Sequence, residues 1–330
     1  MIKDEKDILR ELLAFTEEEK QYQKDFQCQG KLYSLENHLT EPVQHVILTE
    51  KEFFGTTDSS STHIVVKKHN RYNPEFWHTH EFFELIYMLE GKAENHLFGQ
   101  SIPLKKGDLS ILSPSVYHSI WTEEGIILNI LIKKTDFYDF FTDLFKSQNI
   151  ISSFFTNSLF IPSFANCLTF STEEDEEIYR LILSLAAEQK IKDEHSQLLM
   201  KNALISVFSL VLRNYSSSAS FPSVIQKEHE TISKIMMILN KNYGQISLDL
   251  LSEKMGYAPV YCSRLIKQFT GQNYSALVKQ IKFRQAEHYL KNTTMSIEKI
   301  SELCGYENPE GFNRAFKQVY GIAPSRWRKL

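Results

Sequence analysis

The sequence is poor in cysteine. Cys28, Cys167, Cys262 and Cys304 are the four in 330 residues, and no two stand at a paired spacing. That argues against a disulfide framework and a structural zinc site, and favours a reducing, cytoplasmic setting. Long apolar runs are missing as well. The longest, such as 204–212 with its serines, falls far short of the roughly 20 apolar residues that cross a bilayer, so no membrane partner is expected. The N-terminal Lys3, Asp4, Glu5, Lys6 and Asp7 do not read as a signal peptide. What remains is an ordinary globular composition, 42% hydrophobic and 24% charged, long enough for two domains or three.

The chain does contain a duplication in its last hundred residues. Leu251-Ser252-Glu253-Lys254-Met255-Gly256-Tyr257 is followed by Arg264, Lys267-Gln268 and Gly271. Ile300-Ser301-Glu302-Leu303-Cys304-Gly305-Tyr306 is followed by Arg314, Lys317-Gln318 and Gly321. Two copies make a duplicated module and not a solenoid. Each copy reads as helix, glycine turn, helix. Ser247 and Ser296 suit N-caps, and apolar positions follow at helical spacing. Gly256 and Gly305 suit an abrupt helix end, and Pro259 and Pro309 suit the first turn of the next helix. Asn308 is a sound N-cap for the second of these helices, whereas Ala258 is a poor one for the first. Such a pair is a helix-turn-helix unit, whose second helix enters the DNA major groove. Those second helices are predicted at about 259–270 and 309–320.

A bundle whose repeats only pack on each other is the alternative, and charge favours DNA. From residue 229 onward there are 15 Lys and Arg against 8 Asp and Glu, a net of +7. The preceding 228 residues hold 22 against 33, a net of −11. A basic module on an acidic body is the footprint of a nucleic-acid site. Candidate reading side chains are Tyr261, Ser263, Arg264 and Lys267 in the first unit, and Glu310, Asn313, Arg314 and Lys317 in the second.

This segment resembles the DNA-binding domain of the AraC/XylS family of transcription regulators. The resemblance rests on Ser263-Arg264-Leu265-Ile266-Lys267, Ser296-Ile297-Glu298-Lys299-Ile300, Gly305-Tyr306-Glu307-Asn308, Arg314-Ala315-Phe316-Lys317 and the stretch Gly321 to Arg328. It implies seven helices, with one long helix over 274–292 joining the two units and Ile281, Ala286 and Leu290 facing the cores. Lys282 stands where the family usually has Arg, and Glu310 and Gly311 stand where Ser and Tyr are common. A carboxylate at Glu310 is repelled by phosphate and can help only by accepting from a cytosine amino group. The base-reading burden is therefore expected mainly on the first unit.

The rest of the chain has a different texture. Residues 1–27 read as one amphipathic helix with Ile8, Leu9, Leu12 and Leu13 along a stripe. Between about 31 and 165, short alternating segments at 43–48, 63–67, 83–89, 93–97, 108–112 and 126–132 are separated by turn residues. That spacing argues an antiparallel sandwich or small barrel. Within it, His78, His80 and Glu84 have even numbers and would share one strand face, and His118 follows at a later strand end. The pattern His-x-His-x3-Glu-x6-Gly, ending at Gly91, is similar to the first metal-binding motif of the cupin superfamily. The second motif is degraded, with Ser113 and Ser115 where Pro and Gly are usual.

Three imidazoles and a carboxylate suit a divalent cation such as Zn, Mn, Fe or Ni. The alternative is a polar pocket floor that binds an organic ligand without metal. Phe76, Trp77, Phe82, Tyr87, Tyr117 and Trp121 are either cavity walls or sandwich core. Residues 166–215 read as helical. A capping box at Ser171-Thr172-Glu173-Glu174 opens a helix with Ile178, Leu181, Ile182 and Leu185. A second helix carries Leu198, Leu199, Leu204, Val207, Phe208, Val211 and Leu212. That apolar face serves either a dimer interface or packing on the barrel. A Ser-rich stretch at 216–220 opens a flexible linker running to 228.

The expected fold is α+β and multidomain: an N-terminal helix (1–30), a cupin-like sensor (31–165), dimerisation helices (166–215), the linker, and an all-α double helix-turn-helix domain (229–330; units at about 247–270 and 296–320). The expected function is a cytoplasmic, sequence-specific DNA-binding regulator that answers to a small-molecule effector and acts as a homodimer. The family resemblance favours activation, with RNA polymerase as a partner. The rival is a metal-dependent cupin enzyme, an oxygenase or isomerase, with an accessory nucleic-acid-binding domain.

Overall fold

Among the described residues, ten short strands between residues 46 and 171 form two five-stranded sheets. The computed structural model describes residues 5–29, 46–55, 62–97, 99–134, 136–137, 150–160, 166–221, 227–242 and 246–329. The strands are β1 (Val46–Leu48), β2 (Ile64–His69), β3 (His78–His80), β4 (Phe83–Glu90), β5 (Lys92–Leu97), β6 (Gln100–Lys105), β7 (Asp108–Leu112), β8 (His118–Trp121), β9 (Ile126–Ile132) and β10 (Cys167–Ser171). One sheet runs β1-β3-β8-β5-β6 and the other β10-β7-β4-β9-β2. A shared apolar cluster joins Ile86, Met88, Leu112 and Ile127 of the second sheet to Ala93, Leu97, Leu104 and Ile120 of the first. The sandwich is antiparallel except at one edge, where β1 pairs with β3 in parallel.

The expected alternation fails in β4 and β9, whose residues are almost all buried. Both faces of that sheet are covered, which turns an alternating strand into a continuous apolar run. Helices α5 (Glu176–Ile191) and α6 (Ser196–Asn214) pack against β2. Gln189 Oε1 accepts from Val66 N–H at 2.8 Å and Gln197 Oε1 from Ile64 N–H at 2.9 Å. Open backbone groups at Ile64 and Val66 of this edge strand are thereby paired.

Residues 1–27 do not form one helix. Helix α1 spans Glu5–Leu13 and α2 spans Glu17–Gln29. Between them Thr16 and Glu19 make a reciprocal cap, Thr16 N–H to Glu19 Oε2 at 2.9 Å and Glu19 N–H to Thr16 Oγ1 at 3.1 Å. A capping box starts a new helix and so ends the previous one. The short helix α3 (Glu50–Phe54) follows β1.

Two further expectations are corrected. The stretch 171–174 is not a capping box, because β10 runs through Ser171 and Glu173 and Glu174 both take positive φ, 51 and 62 degrees. Asp175 is the N-cap of α5, accepting from Glu177 and Ile178 N–H. The serines at 216–220 are not a free tether. Residues Ser216–Ser218 form a 3-10 turn, Ser218 Oγ donates to Ser171 O at 3.1 Å, and Ser220 bridges Thr169. Of the expected linker, 222–226 lie outside the described residues.

The chain divides into two compact units, Met1–Leu144 with Ala165–Ile225, and Phe145–Phe164 with Gln226–Leu330. The second unit thus includes helix α4 (Ile150–Phe160), which the sequence reading placed in the sensor. Helix α4 packs on α7 (Lys227–Lys241). Then come α8 (Leu248–Met255), α9 (Pro259–Thr270), α10 (Tyr274–Asn292), α11 (Ile297–Leu303), α12 (Pro309–Tyr320) and the short α13 (Pro324–Trp327). From 227 onward these are the seven expected helices among the described residues.

Ser247, Ser296 and Asn308 cap as expected, accepting from Leu250, Lys299 and Gly311 N–H, and Ala258 makes no capping bond. Gly256 and Gly305 take φ of 68 and 71 degrees, the left-handed backbone that the tight turns require. On α10, Phe283, Ala286 and Leu290 join Ile300, Cys304, Phe312 and Phe316 in the core of the second helix-turn-helix unit.

Candidate functional site

The first unit holds a polar chamber. His78, His80, Glu84 and His118 do meet there, by a route other than a shared strand face. The chain bends at Glu81 and Phe82, so the two histidines lie on β3 of one sheet and Glu84 on β4 of the other. His118 pairs directly opposite His78 across β3 and β8. Glu84 comes in from the facing sheet, two residues before Ile86 of the shared apolar cluster.

The imidazoles are close. Ring centroids of His78 and His118 are 4.5 Å apart, and those of His80 and His118 are 5.4 Å apart. Glu84 Oε2 lies 3.4 Å from His80 Nε2 and 3.3 Å from His118 Nε2. Neither approach is a hydrogen bond, so Glu84 Oε2, His80 Nε2 and both ring nitrogens of His118 are buried without a hydrogen-bond partner. Second ring nitrogens orient two of the rings: His80 Nδ1 pairs with Phe82 O at 2.7 Å and His78 Nδ1 with Phe76 O at 2.9 Å. Burial pulls His80 down to about 4 and His118 to about 3, and lowers His78. All three are therefore neutral at physiological pH, the form that ligates a metal or accepts a hydrogen bond.

Beside these residues is a cavity of about 170 Å³ lined by His69, His78, Glu84, Asn129, Phe82 and Ile120, among others. His69 and Asn129 escaped the sequence reading. His69 ends β2 and Asn129 sits mid-way in β9, so neither belongs to a local motif. Both face the chamber with an unpartnered atom, His69 Nε2 and Asn129 Oδ1. Burial also pulls His69 down to about 4. Lys67 lies at the wall, its ammonium 4.5 Å from the Phe53 ring. Of the six candidate wall aromatics, Phe76 and Phe82 line this cavity. Tyr87 is core, Trp121 packs on Phe26 at 5.5 Å, and Trp77 packs on Tyr117 at 5.1 Å. A buried polar group without a partner costs free energy. So many around one cavity point to an occupant, an ion or a polar molecule. The ligand atoms of His78, Glu84 and His118 lie within 4.8 Å of one another, which fits a divalent cation.

The second unit carries the candidate DNA face. On α9, Arg264 and Lys267 are exposed and Tyr261 and Ser263 half-buried. The Arg264 guanidinium lies 5.2 Å from the Tyr261 ring, which in turn packs, tilted, at 4.9 Å from Tyr257. On α12, Glu310, Asn313, Arg314 and Lys317 are all exposed, while Phe312 and Phe316 on the opposite face are fully buried. Lys282 does not point at this face. It donates to the Gly305 carbonyl at 3.1 Å and lies over the Tyr306 ring, bracing the second turn.

Residues 66–208 match the family described as AraC-like ligand binding domain, and residues 251–330 match a helix-turn-helix domain family. The chain is 22% identical over 264 residues to the Msm operon regulatory protein of Streptococcus mutans, covering 75% of this chain and 84% of that protein. It is 21% identical over 287 residues to the HTH-type transcriptional activator RhaR of an Enterobacter species, covering 86% of this chain and 96% of that one. Among solved structures, an apo form of ToxT from Vibrio cholerae, carrying one substitution, aligns over 81% of this chain and 97% of its own, at 13% identity and a TM-score of 0.36. The chain thus carries an AraC-like ligand-binding domain followed by a helix-turn-helix domain, and the relatives it matches are AraC-family transcription regulators.

Proposed function

We propose that the protein is a transcription activator whose hold on a double-stranded operator is set by a small polar effector in the chamber. The observation that carries the reading is the joint presence of a polar, partner-poor cavity in the first unit and two exposed basic recognition helices in the second. Arg264 on α9 suits guanine or phosphate, and Arg314 and Lys317 on α12 suit phosphate. His78, Glu84, His69 and Asn129, which line the cavity, are the effector's polar contacts, and His80 and His118 stand behind them against Glu84. A divalent cation, if bound, would sit on His78, Glu84 and His118 and would polarise an effector oxygen. Fold alone does not choose between sensing and catalysis, but the relatives are named as transcriptional regulators, which favours sensing over the enzyme reading.

The reading includes a cytoplasmic homodimer that recruits RNA polymerase. Support for dimerisation comes from α6, where Leu198 is 57% and Leu199 49% exposed, with Ile205 and Leu212 following Leu198 at intervals of seven. A seven-residue apolar repeat is the pattern of a helix that pairs with another. Two protomers on repeated half-sites gain affinity through effective concentration. The experiment is selection of genomic fragments by the full-length protein. One recurring sequence, bound with steep salt dependence, supports the reading. Retention of no fragment above background, or salt-insensitive retention, overturns it.

A further inference from the structure

Val260 is the most exposed large apolar side chain among the described residues, at 81%. It is the second residue of α9, after Pro259 and the uncapped Ala258, and all three are exposed. Nothing in folding accounts for it. It covers no core, and valine is a poor helix former. The duplicated pattern does not ask for it either: the residue 50 positions later, where Arg314 and Lys317 repeat Arg264 and Lys267, is the exposed Glu310. Val260 lies one helical turn before Arg264, so the two share the outer face of α9.

We infer that Val260 reads the 5-methyl group of one thymine in the bound site. The inference rests on α9 being a DNA-reading helix and adds a residue and a base to that reading. N-terminal residues of a recognition helix meet base edges, and the major groove marks thymine by a methyl group that apolar side chains contact. A β-branched side chain in a helix holds essentially one rotamer, so its methyl groups are presented with little left to order on binding. Valine has no hydrogen-bonding atom for the polar edges of the other bases. Glu310 makes the opposite choice in the second unit, so the methyl readout belongs to the first unit alone.

The test uses the full-length protein and its selected duplex, with each thymine replaced singly by uracil, which removes only the methyl. One replacement is expected to weaken parent binding by about fourfold, the value of one buried methyl. Val260→Ala is expected to lose a similar factor on the thymine duplex and to be indifferent to that replacement. So exposed a position leaves the fold intact, which unchanged thermal unfolding of the variant checks. The inference is overturned if no replacement is coupled to Val260. It is equally overturned if Val260→Ala binds as tightly as the parent, including the case in which only transcription falls, since that marks a protein contact. Absence of any site-specific binding by the parent defeats the underlying reading as well.

Discussion

Glu19 is fully buried in the first unit and meets two cations, Arg71 Nη2 at 3.0 Å and Lys68 Nζ at 2.9 Å. Arg71 also donates to Leu13 O and Lys68 to Ala14 O, so the cluster fastens the α1–α2 corner to β2 and the turn after it. Burial pushes the Glu19 carboxyl up, but hydrogen bonds from Arg71, Lys68 and the backbone of Thr16 and Arg71 outweigh it and hold it at about 2. A folded value below the ordinary 4.5 stabilises the native state above that pH, and the contribution is lost as pH falls from about 4.5 to about 2. The difference corresponds to about 3 kcal/mol.

Glu19→Gln keeps the size and one capping oxygen but removes the charge that pairs with the buried Arg71 and the half-buried Lys68. A loss of about 3–5 kcal/mol at neutral pH follows, and with it loss of the acid limb of the stability profile. Denaturant unfolding between pH 2 and 7, followed by Trp121 fluorescence beside Phe26, measures both. A variant within about 1 kcal/mol of the parent, or one with a parallel pH profile, refutes the reasoning.

Two further predictions concern the second unit. Arg264→Ala should cost more sequence discrimination than Asn313→Ala, on the order of 1–3 kcal/mol against matched and scrambled duplexes; equal losses would show that both units read sequence. Phe155 is fully buried on α4, so Phe155→Ala should destabilise the second unit by about 3–5 kcal/mol. Trp327, half-buried against the core of the second helix-turn-helix unit, reports it, and an unchanged unfolding midpoint would show that α4 does not support α7.

The helix-turn-helix boundaries were readable because each is marked by a local device: a Ser or Asn cap, a left-handed glycine, a proline at the first turn. The sandwich was readable only in outline. Strands β4 and β9 are buried on both faces, one of them against the facing sheet, which erases their alternation. Strands β3 and β8 are too short to show a period, and β6 carries Pro103. The chamber residues were found through a motif, yet the strand-face argument for them was wrong, since Glu84 stands in the facing sheet. His69 and Asn129 carry no local signal, because only the pairing of β2 with β9 and the closure of the two sheets bring them in. The docking of α4 on α7 joins segments some seventy residues apart, which no periodicity reveals.

The central claim is that the chamber governs transcription through the DNA-binding unit. The direct measurement is a reporter driven by the selected site, read across a panel of small polar metabolites, with parent protein and with His80→Ala plus Glu84→Ala. DNA binding by each protein is measured alongside, without metabolite. The account predicts that the parent answers to at least one compound, and that the variant binds the site as the parent does but no longer answers. A variant that binds and still responds normally would contradict it.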